Sequence, residues 1–182
     1  YEIAKKRVLE NKDLISPIKE LKILMAEDDQ LNGQLFKDLI QNTGNSVTVD
    51  WVINGEEVME KVATNDYDII LMDIEMPLKN GFETSSEIRK SENTKINNIP
   101  IIAMTAHLVE DVLERCYQNG MNDCISKPFQ IEILYKKISE TIKNIDLGKS
   151  ISSNNKSKYL EIFIRTFRKD FKELNQSISS EN

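Results

Sequence analysis

Short, almost unbroken apolar runs alternate with amphipathic stretches through the middle of this chain, and that alternation limits the fold more than any other feature. The runs are Ile23-Leu24-Met25-Ala26, Val47-Thr48-Val49-Asp50-Trp51-Val52, Ile69-Ile70-Leu71-Met72, Ile99-Pro100-Ile101-Ile102-Ala103-Met104 and a short Cys124-Ile125. Continuous apolar character suits strands covered on both faces, as in a parallel sheet. Helix-period segments lie between them. Leu31, Leu35 and Leu39 recur every four residues with Phe36 and Ile40 alongside, and Val58, Met59 and Val62 follow Asn54-Gly55. A polar stretch from Gly81 to Glu92 keeps only Phe82 and Ile88 at helical spacing. Val109, Val112, Leu113 and Cys116 mark a fourth helix, and Ile131, Leu134, Ile138 and Ile142 a fifth. Five strands alternating with five helices predict a doubly wound α/β domain. Right-handed crossovers then put helices on both faces. Ligand sites of such sheets form beyond the carboxyl ends of the strands.

The flanks differ from this core. Residues 1–20 are charged, broken at Ser16-Pro17, and read as a linker; the alternating pattern occupies 21–144. Residues 145–157, rich in Ser, Asn and Lys, read as a second linker. Across 158–182, Leu160, Ile164, Phe167, Phe171, Leu174 and Ile178 predict one amphipathic C-terminal helix that cannot bury its own apolar face. The absence of an initiator Met points to a piece of a longer chain or a processed product. A net charge of −6 gives no electrostatic footprint for nucleic acid. No run of about 18 apolar residues is present, which predicts no membrane contact for this piece and a cytoplasmic setting. Cys116 and Cys124 lack zinc spacing and read as reduced apolar fillers.

Residues at and just past the strand ends carry the chemistry. Glu27, Asp28 and Asp29 come after the first strand, Asp73 ends the third, Thr105-Ala106 ends the fourth and Lys127-Pro128 comes after the fifth. In a parallel sheet these groups share one rim. Clustered carboxylates repel unless a cation intervenes, and Mg²⁺ is held by one or two carboxylates plus phosphate oxygens. Asp73 is the candidate nucleophile for an aspartyl phosphate. Lys127 supplies a point charge to a phosphoryl oxygen, Thr105 a hydrogen bond, and small Ala106 leaves room. Each signal alone has a structural explanation, such as a turn or a helix cap. Their joint placement after four strands is the evidence.

These segments closely resemble the receiver domain of two-component response regulators, especially those of hybrid sensor kinases. The resemblance rests on Ile23 through Asn32, Ile70 through Pro77, Asn80-Gly81, Ile101 through His107 and Gly120 through Phe129. It implies a (βα)5 flavodoxin-like fold with strand order 2-1-3-4-5. It implies Mg²⁺ (or Mn²⁺) held by Glu27, Asp28, Asp73 and the backbone carbonyl of Glu75. It further implies Asp73 as phosphoacceptor, Thr105 as switch hydroxyl, Lys127 as the family's lysine, and a cis Lys127-Pro128 bond. The partner would be a histidine kinase or a histidine phosphotransfer domain, with a weak dimer as an option. The parent chain would be a hybrid histidine kinase, with inner-membrane anchoring as an option; this piece carries no kinase motifs of its own. The alternative is a stand-alone response regulator or adaptor without DNA-binding output. A hydrolase with an Asp nucleophile would want a second Asp where Glu75 stands.

One position departs from the pattern. Receivers commonly carry Tyr or Phe three residues before the lysine, and here that residue is Cys124. A thiol cannot reproduce the sweep of a ring, which predicts weaker rearrangement around the fourth helix and fifth strand. His107, the only histidine, reads either as a residue tuning phosphoryl lifetime together with Glu75 or as an exposed residue in the first turn of a helix. The tail from Tyr159 to Leu174 resembles the first helix of a phosphotransfer domain. No histidine follows His107, so this piece cannot serve as one; a coiled-coil seam or packing on the receiver are the other readings.

Overall fold

A computed structural model describes residues 20–41 and 47–146. Apart from Glu20, Ile145 and Asp146, the expected linkers and the amphipathic helix over 158–182 lie outside the described residues. Five strands, β1 (Leu21–Ala26), β2 (Val47–Val52), β3 (Ile69–Asp73), β4 (Ile101–Thr105) and β5 (Asp123–Ser126), form one sheet in the order β2-β1-β3-β4-β5. Every neighbouring pair is parallel. The central strands β3 and β4 are buried along their whole length, which is why their sequences are apolar without alternation.

Helices α1 (Gln30–Gln41), α2 (Gly55–Thr64), α3 (Gly81–Lys90), α4 (Glu110–Gln118) and α5 (Ile131–Asp146) connect or follow the strands, with a single turn at Thr94–Asn97. Two cores result. Leu24, Ile70 and Ile101 meet Val58, Phe82, Ile88 and Leu113 of α2, α3 and α4 on one face. Met25, Leu71 and Ile102 meet Phe36, Ile40, Leu134 and Ile138 of α1 and α5 on the other. Burying each such side chain contributes about 1.5–3 kcal/mol against chain entropy. Helix α5 carries the fold to Asp146, slightly beyond the boundary at 144 expected from sequence.

Helix starts are set by side chains that satisfy free backbone N–H groups. The Asp29 carboxylate accepts from the backbone N–H of Asn32, and the Asn54 side chain from that of Glu57. Asn80 and Glu83 form a reciprocal capping box at α3. This box anchors the loop after β3, whose other end is closed by the Gly81 N–H donating to Ile74 O at 3.0 Å. A Cβ at Gly81 would lie 2.2 Å from the Asp73 carbonyl oxygen, so only glycine permits this approach.

Two helical details differ from the sequence reading. The row Leu31, Leu35, Leu39 marks α1 but is not its buried face. Those residues are 79%, 51% and 43% exposed, while Gly33, Phe36 and Ile40 face the sheet. The two rows lie one residue, about 100°, apart around the helix, and the sheet covers only one of them. In addition, α4 begins at Glu110, so His107 occupies the exposed loop before it rather than a first helical turn.

Candidate phosphoryl-accepting site

The carboxyl ends of β1, β3, β4 and β5 bring the predicted residues to one rim. Asp73, the last residue of β3, is 6% exposed, and Glu27, just past β1, is 1% exposed. Carboxylate oxygens of Glu27, Asp28 and Asp73 all lie within 4.8 Å of one another, and Asp28 faces solvent. Lys127 reaches in from the end of β5, with Nζ 2.6 Å from Asp73 Oδ2 and 2.5 Å from Glu27 Oε2. The contact with Asp73 is a hydrogen bond. The contact with the buried Glu27 Oε2 is an ion pair. The other Asp73 oxygen, Oδ1, accepts from the Glu75 backbone N–H at 3.1 Å. The Lys127-Pro128 bond is cis, as the resemblance implied.

Electrostatics at this rim are unbalanced. Burial pushes the Glu27 and Asp73 carboxyls above the ordinary carboxylate range, against the opposing pull of Lys127. Burial works against the Lys127 ammonium too, but its bonds to Asp73 and Glu27 prevail and raise it. One ammonium therefore faces two desolvated carboxylates and a third beside them.

That donor set fits a small hard cation. Oxygens around an octahedral Mg²⁺ at about 2.1 Å stand roughly 3.0 Å apart when adjacent and about 4.2 Å when opposite. The observed spread is within a small side-chain adjustment of this, and the buried Glu27 Oε2 shares one ammonium with Asp73.

The remaining predicted residues lie on the same rim or in the core behind it. Thr105 ends β4, paired with Ser126 of β5, and is buried. Its Oγ1 lies 3.2 Å from both the backbone nitrogen and the carbonyl oxygen of His107, so it donates to one and accepts from the other rather than bonding Asp73. Ala106 and His107 are exposed on the same loop, and the Glu75 side chain is exposed after β3. Cys124 is buried in the core with Cys116, both as free thiols. Burial raises both thiols, Cys116 to about 12.

Two residues went unnoticed in the sequence. Trp51 donates its indole N–H to the Glu27 carbonyl oxygen at 2.8 Å. A lone Trp in a strand gives no signal for this, because the bond depends on the β1–β2 register. Leu78, 78% exposed in the loop after β3, adopts a left-handed φ of 65°. Such a backbone is uncommon for a residue with a branched side chain.

Known proteins resemble this chain in sequence and in fold. A family model, Response regulator receiver domain, matches residues 23–139. The chain is 35% identical over 143 residues to Hybrid signal transduction histidine kinase I of Dictyostelium discoideum, covering 75% of this chain and 8% of that protein. It is 33% identical over 137 residues to Histidine kinase 5 of Arabidopsis thaliana, covering 62% of this chain and 15% of that protein. The chain thus spans only a small part of the length of these relatives. Among solved structures, the receiver domain of a sensor histidine kinase from Pseudomonas aeruginosa aligns with a TM-score of 0.62 and 31% identity, over 68% of this chain and 98% of that one. That structure holds a magnesium ion coordinated in its active-site cleft. With its strand order, its acidic rim and a family match over most of the described residues, this chain belongs to the response regulator receiver domain family.

Proposed function

We propose that Asp73 accepts a phosphoryl group from a phosphohistidine donor in a phosphorelay. The observation that carries this reading is the buried Asp73 carboxylate held by Lys127 at 2.6 Å, with the Glu27 and Asp28 carboxylates in reach. An Asp73 oxygen attacks phosphorus, the bond from phosphorus to the donor's ring nitrogen breaks, and the electron pair leaves with the imidazole. Glu27, Asp28, Asp73 and the Glu75 carbonyl would hold Mg²⁺, with Mn²⁺ a chemical equivalent, which neutralises charge on the phosphoryl oxygens when bound. Lys127 then exchanges a carboxylate partner for a phosphoryl oxygen. Thr105 would leave the His107 backbone to donate to another, and exposed Ala106 leaves the approach open. His107 and Glu75, both exposed at this rim, are placed to affect the lifetime of the phosphorylated state.

The partner reading is a histidine kinase or phosphotransfer domain, and the parent a hybrid histidine kinase with this piece on the cytoplasmic side. The histidine kinase relatives support it, as does the exposed row Leu31, Leu35, Leu39 on the helix that starts beside the acidic pair. Such a row fits against the apolar face of a helical partner. No helix among the described residues is long and apolar enough to cross a membrane.

The test is intact mass after incubation with acetyl phosphate and Mg²⁺. The expected result is one added phosphoryl group, absent without the metal and absent in Asp73→Asn. Equal labelling of Asp73→Asn removes the assignment.

A further inference from the structure

One peptide that bears two of the site's carboxylates, the one joining Glu27 to Asp28, accepts a side-chain hydrogen bond from Trp51. The β1–β2 ladder ends at the pair Ala26–Val52. One residue later, the Glu27 backbone N–H still donates to Val52 O at 3.0 Å, and the Glu27 carbonyl oxygen takes its hydrogen bond from the Trp51 indole at 2.8 Å. That carbonyl belongs to the peptide joining Glu27 to Asp28. Its plane sets the direction in which each side chain leaves the backbone. Turning the plane would carry the exposed Asp28 carboxylate away from the buried Glu27 and Asp73 carboxylates it now meets within 4.8 Å.

The indole is wedged as well as bonded. Trp51 is partly buried against the core shared by α1 and α5. Its ring lies so close to the first turn of α1 that a Cβ at Gly33 would come within 2.3 Å of ring carbons Cε2 and Cζ2. The same turn is capped by Asp29, the third acid of the run after β1.

We propose that Trp51 is a positioning residue for the cation site: it fixes the Glu27–Asp28 peptide so that both carboxylates meet Asp73, and through Gly33 it couples that peptide to α1. This rests on reading the rim as a Mg²⁺ site. Groups that orient metal ligands without touching the metal typically change affinity 10–100-fold when removed.

The experiment measures Mg²⁺ affinity by calorimetry on the full chain, for wild type, Trp51→Phe and Gly33→Ala. Phe keeps a ring but loses the N–H; Ala pushes the indole without removing it. Both variants are expected to bind Mg²⁺ at least about 10-fold more weakly than wild type, at a temperature where circular dichroism shows them folded. A merely structural role would lower the urea midpoint and leave that affinity unchanged. Trp51 is the single tryptophan, so wild type also offers one indole N–H resonance. That resonance is expected to shift with the same Mg²⁺ dependence as the calorimetric curve, whether or not the variants fold. Wild type that binds no Mg²⁺ sinks the cation reading and this inference together. Wild-type binding with unchanged affinity in Trp51→Phe, or an unmoved indole resonance, sinks the inference alone.

Discussion

Two partly buried cations sit at opposite ends of the sheet and live in opposite surroundings. Lys127, at the carboxyl end, faces Glu27 and Asp73 directly, with Asp28 beyond. Arg89, at the amino end of the sheet on the last turn of α3, has no carboxylate partner among the described residues. Its guanidinium donates to Gly120 O at 2.8 Å, Asn97 O at 2.7 Å and Asn122 Oδ1 at 3.0 Å. Asn122 Oδ1 also accepts the Ile101 N–H at the start of β4. Burial lowers Arg89 to about 10, which still leaves it charged at neutral pH. One end has more negative charge than its own cation can balance; the other has neutral acceptors matched to a rigid donor fork. The first arrangement is responsive to added positive charge. The second is closed, and it fastens α3 to the loops entering β4 and β5.

Removing each cation sharpens this contrast. Arg89→Met leaves the Gly120 and Asn97 carbonyls without this donor and Asn122 Oδ1 with the Ile101 N–H alone, and is expected to cost about 3 kcal/mol in urea unfolding. Its Mg²⁺ affinity should stay at the wild-type value; a large loss of affinity would break the division between the two ends. Lys127→Met, which leaves two buried carboxylates without their ammonium, is expected to cost a comparable amount, about 3 kcal/mol, without Mg²⁺. Saturating Mg²⁺ should recover stability in this variant to a greater extent than in wild type, because an ion can occupy the place of the ammonium. Equal recovery in both proteins would contradict an excess of negative charge at this rim. The smallest effect concerns output. Comparing the free and beryllofluoride-bound domain by amide NMR should give large shifts near Asp73 and only modest ones over α4 and β5, where Cys124 stands in place of a ring. Full-size shifts across that face would show that the thiol does not weaken the coupling.

The carboxyl-end constellation was legible in sequence because strand-end residues need only the strand boundaries and a parallel order to be placed together. Asp73 and Thr105 each terminate an apolar run that is easy to delimit, whereas Lys127 follows a short run, Cys124-Ile125, that is weak alone and gains weight only from the other strand ends. Arg89 was not legible: its acceptors come from the short turn before β4 and the loop before β5, two of them backbone carbonyls with no side-chain signature. Helix α1 misleads for another reason. Leucine spacing identifies the helix, but adjacent apolar rows compete for one sheet face, and the aromatic Phe36 stacked on Phe129, with ring centroids 4.7 Å apart, helps hold the other row inward. Helix α4 starts later than apolar spacing suggests, because Val109 fits the helical period yet precedes the first helical residue.

The loop after β3 carries a practical consequence. It is fastened at one end by the Gly81 N–H on Ile74 O and at the other by the Gly55 N–H on Lys79 O at 3.1 Å. Lys79 is further clamped to Glu87 at 2.7 Å. Its span therefore behaves as a fixed gauge between nucleophile and helix. Chimaeras that exchange side chains within it at constant length should fold, whereas adding or deleting a single residue would misalign α3 and the reacting carboxylate at once.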